Sequence, residues 1–160
     1  MMEVNQIKEL FKGHYQVILD FPTPTFLKSI IDDSYKFIWG IEHNEGGCEW
    51  EKYDHTIYGV SKNSNVLCRN IFMEYLIETQ YFSDYIKHIN QTVKITQINN
   101  IPPPYFDVLK LKGKSKYDLY KEKLNYKFEI EIPGATDYAR IISPNISFLE
   151  DVIKKAEYLL

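Results

Sequence analysis

From Tyr126 to Ile132 the chain alternates without a break: Tyr126, Phe128, Ile130 and Ile132 are separated by Lys127, Glu129 and Glu131, and Pro133-Gly134 follows. Successive side chains leave a pleated strand in opposite directions, so a period of two marks a strand with one side on a core. Pro-Gly closes it, and Tyr138 to Ile142 is the expected partner. Shortly afterwards Ser147, with Glu150 three residues on, makes a capping-box pattern ahead of Phe148, Leu149, Val152, Ile153, Ala156 and Leu159. That predicts a C-terminal helix that packs on the sheet. No repeat or linker interrupts the chain, so the economical fold is a single α+β domain over residues 1–160, a mostly antiparallel sheet with helices against it.

The other elements follow from the same periodicities. Glu3 to Lys12 spaces Val4, Ile7, Leu10 and Phe11 as a short helix ended by Gly13. His14 to Phe21 alternates as a strand and stops at Pro22-Thr23-Pro24. Thr25 is the expected cap of a helix with Phe26, Leu27, Ile30 and Ile31 on one face. Tyr35 to Ile41 reads as a strand, and Asn44-Glu45-Gly46-Gly47 supplies residues for a hairpin loop. Pairing His43 with Cys48 across that loop sets Ile41 opposite Trp50 and Glu42 opposite Glu49. Thr56 to Val60 continues as strand, and Ser61 to Asn65 is a polar turn. Between Val66 and Asn90, Leu67, Ile71, Phe72, Tyr75, Leu76, Phe82, Tyr85, Ile86 and Ile89 recur mostly three or four apart, which predicts two helices, the second starting at Ser83. Val93, Ile95 and Ile98 suggest a strand that Pro102-Pro103-Pro104 ends, since proline removes the amide donors a ladder needs. Tyr105 to Lys112 resumes as strand, and Lys114 to Leu124 fits either a short helix or irregular structure.

Composition excludes several classes. Cys48 and Cys68 are too few for a secreted disulfide framework. The amino terminus carries no apolar leader segment, and no apolar run reaches the roughly 18 residues of a membrane helix, so the chain is expected to be cytoplasmic with no membrane association. Neither GxGxxG nor GxxxxGK[ST] occurs among the seven glycines, and GxSxG, CxxC and HExxH are missing too. His43, Cys48 and His55 fall close to Glu45, Glu49 and Asp54, but their spacing fits no zinc signature, so no metal and no cofactor are expected. His14, His43, His55 and His88 would support acid–base chemistry only if they converged in space. Catalytic residues are therefore not assigned, and a small histidine-dependent enzyme stays as an alternative.

Charge is distributed unevenly. Residues 1–60 hold five lysines and ten acids, whereas residues 91–160 hold eleven Lys or Arg and nine acids. Lys52 is the one cation among Glu42, Glu45, Glu49, Glu51 and Asp54, giving that window a charge of −4 around Trp50 and Tyr53. A solvated sheet face gives the same pattern. Read as a docking surface, it attracts a basic partner through its field and anchors it on the aromatics. The leading expectation is thus an immunity or antitoxin protein covering a basic bacterial toxin, with Glu42, Glu45, Glu49, Trp50, Glu51, Tyr53 and Asp54 as contacts. A second expectation is nucleic-acid binding through Lys110, Lys112, Lys114, Lys116, Lys121, Lys123 and Lys127 with Tyr117 and Tyr120, a segment of net charge +5 that contains no arginine. An ordinary solvated strand and turn produces that pattern as well.

Overall fold

Eight strands make one antiparallel sheet in a computed structural model that describes residues 7–20, 22–45, 61–67, 70–85, 92–100, 125–132 and 138–160. In chain order they are β1 (Lys8–Phe11), β2 (His14–Asp20), β3 (Phe37–Glu45), β4 (Ser61–Leu67), β5 (Asn70–Glu78), β6 (Thr92–Ile98), β7 (Tyr126–Glu131) and β8 (Tyr138–Ser143). Three helices are described, α1 (Pro24–Ile30), α2 (Phe82–Tyr85) and α3 (Ile146–Leu159). Across the sheet the order is β1-β2-β8-β7-β6-β3-β5-β4. The α+β class read from periodicity is the class observed.

One side of the sheet carries the main core. Val17 and Leu19 of β2, Ile38 of β3, Ile77 of β5, Ile95 of β6, Phe128 and Ile130 of β7, and Ala139 and Ile141 of β8 are buried against Phe26, Leu27 and Ile30 of α1 and Phe148, Leu149, Val152 and Ala156 of α3. Each of these side chains other than the two alanines gives roughly 1.5–3 kcal/mol on burial, offset by the entropy of ordering it. A smaller cluster of Trp39, Ile98 and Tyr126, with Phe37 and Leu76 beside it, is separate from that core.

Several expected boundaries shift for identifiable reasons. Thr23, not Thr25, caps α1: its Oγ1 accepts from the Phe26 N–H at 3.2 Å, and Pro24 takes the first helical position, where its missing amide costs nothing. Asn145, not Ser147, caps α3 through Oδ1 and the Phe148 N–H at 3.1 Å. Lys8 to Phe11 is strand rather than helix, turning back at Gly13, whose φ of 78° suits glycine, to pair with β2.

The largest correction lies between Ser61 and Glu78, expected as a polar turn and a helix and found as the hairpin of β4 and β5. The sequence NIFMEYLIE is a nearly continuous apolar run, and such a run fits a strand hydrogen-bonded on both edges as well as it fits a helix. β5 is that strand, with β3 on one edge and β4 on the other. A 3-10 turn (Thr79–Tyr81) and α2 follow, so helix begins only past Glu78.

β3 also runs further than expected, to Glu45, and both its edges are taken. Ile41 lies opposite Glu74 of β5 and Lys94 of β6, and Glu42 opposite Met73 and Thr92. The expected pairings of Ile41 with Trp50 and of Glu42 with Glu49 are therefore excluded. Residues 46–60, which include the rest of that expected hairpin and the expected strand at 56–60, lie outside the described residues, as does the segment 101–124.

Candidate functional site

The side of the sheet away from the helices combines the smaller apolar cluster with polar residues that are buried at its centre. Lys94 and Thr96 on β6 and Glu129 on β7 are 3%, 0% and 0% exposed, beside Trp39 at 2%. Thr96 stands between Trp39 and Glu129 in the ladder, and Lys94 stands opposite Glu131. From one position along, Lys94 Nζ reaches diagonally to Glu129 Oε1 at 2.8 Å and lies 5.3 Å from the centre of the Trp39 ring. A diagonal neighbour is within reach of a long side chain. Two opposite charges out of water hold each other and are costly to separate. Alternation had set Glu129 on the side facing solvent; the sheet is buried on both sides here, so its alternate positions are inner ones too.

A bulge re-aims the start of β7. Gln97 pairs with Phe128 but Ile98 pairs with Tyr126, so Lys127 is the extra residue. Tyr126 consequently joins Trp39 and Ile98 in the smaller cluster instead of continuing the Phe128 and Ile130 row. Its hydroxyl is hydrogen-bonded to Nδ1 of His14, whose ring is nearly parallel to it at 5.7 Å. Burial pushes the Tyr126 phenol well above its ordinary value.

Lys127, displaced by the same bulge, points to the helix side. Its Nζ is 3.4 Å from Asp32 Oδ2 and 5.1 Å from the centre of the Phe148 ring. Asp32 is held below the usual carboxylate range, first by hydrogen bonds from the Ser34 hydroxyl and amide at 2.6 and 2.9 Å and then by Lys127. Gln97, fully buried, fixes the same turn: its Oε1 accepts from the Asp32 N–H at 3.1 Å and its Nε2 donates to the Asp32 carbonyl at 2.7 Å. Between this turn and the start of α3 lies a cleft of about 530 Å³ lined by Tyr15, Tyr35, Tyr126, Lys127, Asn145 and Ser147.

Of the residues expected to contact a partner, Glu42 and Glu45 are placed by the backbone of β3, opposite Met73 and Asn70 of β5. Glu49, Trp50, Glu51, Tyr53 and Asp54 lie outside the described residues, as do Lys110, Lys112, Lys114, Lys116, Tyr117, Tyr120, Lys121 and Lys123. Lys127, the last of the lysine series, is engaged with Asp32. His14 on β2 and His43 on β3 are separated by β8, β7 and β6, four strand spacings or about 19 Å, so these two do not converge. Among the described residues no three or more His, Cys, Asp or Glu side chains gather as a metal site requires. No helix among them is long and apolar enough to cross a membrane.

The Lys94–Glu129 pair and the Gln97 clamp were not singled out in the sequence. For the pair a signal existed: a lysine and a glutamate set among strong strand residues, Val93-Lys94-Ile95 and Phe128-Glu129-Ile130. Comparison with protein-family models, with curated proteins and with solved structures finds no match.

Proposed function

We propose that this chain is a small protein-binding inhibitor, most concretely an immunity or antitoxin protein that sterically covers a basic, nuclease-like bacterial toxin. The observation that carries the proposal is the placement of β3. Hydrogen-bonded to β5 along its whole length and to β6 as far as Glu42, it carries Glu42 and Glu45 on a fixed element and leads directly into the acidic, aromatic sequence from Glu49 to Asp54. A contact begun on a strand is held more tightly than one begun on a loop, which lowers the ordering cost of binding. Five carboxylates against Lys52 then steer a cationic surface toward Trp50 and Tyr53, the residue types that anchor interfaces. The loss of Lys127 to Asp32 removes one cation from the rival lysine series.

The test is kinetic. The tagged chain is co-purified from its source cell with its partner, and association is followed at low and physiological salt for the wild type and for Glu49→Lys/Glu51→Lys. Steering predicts at least about a tenfold slower association for the double variant, with a weaker salt dependence. An unchanged association rate removes the acidic segment from the interface. A parallel titration with single-stranded DNA separates the rival: a steep linear fall of log affinity with log salt belongs to a lysine-rich binding site and not to this one.

A further inference from the structure

The two edges of the sheet are built differently. β1 is four residues long, its ladder with β2 is interrupted by a bulge between Glu9 and Phe11, and it carries Lys8 and Glu9. Shortness, a bulge and charge are the means by which proteins keep an edge from recruiting another strand. β4, at the other edge, is longer and plainer. Its seven residues, SKNSNVL, run in unbroken register against β5 from Ser61 opposite Leu76 to Leu67 opposite Asn70, with no proline and a single charge at Lys62. Among the described residues β4 has a strand on one side only. An antiparallel strand turns alternate pairs of its amides and carbonyls outward, so, as far as the described residues go, the far side of β4 is a template for a further strand.

We propose that β4 pairs with β4 of a second copy of this chain, antiparallel about a two-fold axis through Ser64, so that two eight-stranded sheets become one continuous sheet. The register is what selects a second copy. About Ser64, Lys62 stands opposite Val66 and never opposite its own equivalent, Asn63 stands opposite Asn65, and Ser61 stands opposite Leu67. Like charges facing each other are the usual obstacle to self-pairing, and none face each other here. A two-fold contact uses one patch twice and closes at two copies. The outer ends of the joined sheet are then two β1 edges, already short and bulged, so growth stops at the dimer. None of this depends on the proposed function.

Sedimentation of the full chain over a range of concentrations tests the pairing. The wild type is expected to pass from monomer to dimer as concentration rises. Ser64→Lys and Ser64→Glu each place like charges face to face on the axis, so each variant sediments as a monomer, while an equimolar mixture of the two restores the dimer. Glu9→Lys, on β1, leaves the dimer unchanged. Circular dichroism reports whether each variant keeps its fold, and one measurement needs no substitution: amide exchange of residues 61–67 in the wild type slows as concentration rises. A wild type that stays monomeric up to about 1 mM, the weak limit of useful affinity, overturns the proposal. So does amide exchange that ignores concentration, or a pair of folded Ser64 variants that dimerise alone as well as they do together.

Discussion

Replacing Glu129 with glutamine removes the carboxylate that stands 2.8 Å from the buried Lys94 ammonium, and the cost can be bounded from the geometry. At 2.8 Å and an effective dielectric of about 20, the attraction between unit charges is roughly 6 kcal/mol. Removing two such ions from water costs several kcal/mol each, so the intact pair is close to neutral beside an apolar pair of the same size. Losing one member is different, because the attraction that offset part of the other's desolvation cost goes with it. With side-chain exposures of 4% and 0%, Glu129→Gln and Lys94→Met should each destabilise by about 3–5 kcal/mol. The double variant Lys94→Met/Glu129→Leu should lie within about 2 kcal/mol of wild type, giving a coupling energy of at least about 4 kcal/mol. Urea unfolding followed by circular dichroism measures all four chains, provided the slope with denaturant is common to them. For a chain of this length each kcal/mol moves the thermal midpoint by roughly 2–4 °C, so the single variants should melt about 10 °C lower. Single costs below about 1 kcal/mol, the range of an exposed pair, would refute the buried, mutually dependent arrangement.

Other consequences are open to the same methods. Gln97→Leu strips both hydrogen bonds from the Asp32 backbone and should cost roughly 2–3 kcal/mol in urea unfolding; a neutral result would mean that the turn finds other partners. Asn145→Ala should cost about 1 kcal/mol and Ser147→Ala less than about 0.5, an order that reverses if Ser147 is the true cap. Because burial raises the Tyr126 phenol, its contribution to stability is present below about pH 10 and is lost as pH rises beyond that, so Tyr126→Phe should flatten the alkaline end of a stability profile. Asp32 is depressed, so its contribution is present above the unfolded carboxylate value of 3.8 and is lost as pH falls through the lower folded value. Ser34→Ala should move the Asp32 titration, followed by NMR, back toward that value.

Strands that put one apolar row on the helices announced themselves. β2, β6, β7 and β8 alternate because their other side carries polar residues, and α3 declares itself by a stripe of apolar residues at helical spacing. What alternation could not convey is that the polar side is buried as well. Glu129 looks like any outward carboxylate until Lys94, 35 residues earlier in the chain, is set beside it by the ladder. Local spacing misled at β5, where residues 71, 72, 75 and 76 satisfy a helical stripe, and the tertiary fact that decided against helix was the presence of β3 and β4 on its two edges. The bulge at Lys127 was equally invisible, since nothing in Tyr126-Lys127-Phe128 breaks the period; only the register against β6 shows it. Of the expected contact surface, the sequence composition was plain, but the partner of β3 was assigned to the nearest strand in sequence, and both places beside it belong to strands from further along the chain.

The position of β8 between β2 and β7 has a consequence for biosynthesis. While the ribosome still shelters residues 138–160, β2 lacks the neighbour that later pairs with Tyr15 through Asp20, and β7 has an empty flank beside Glu129 through Glu131. A half-made chain therefore exposes two unsatisfied strand borders at once, the condition under which nascent polypeptides stick to one another and call on chaperones. Closure of the sheet rests on the pairing of β2 with β8, partners more than a hundred residues apart along the chain, the kind of long-range contact that slows folding.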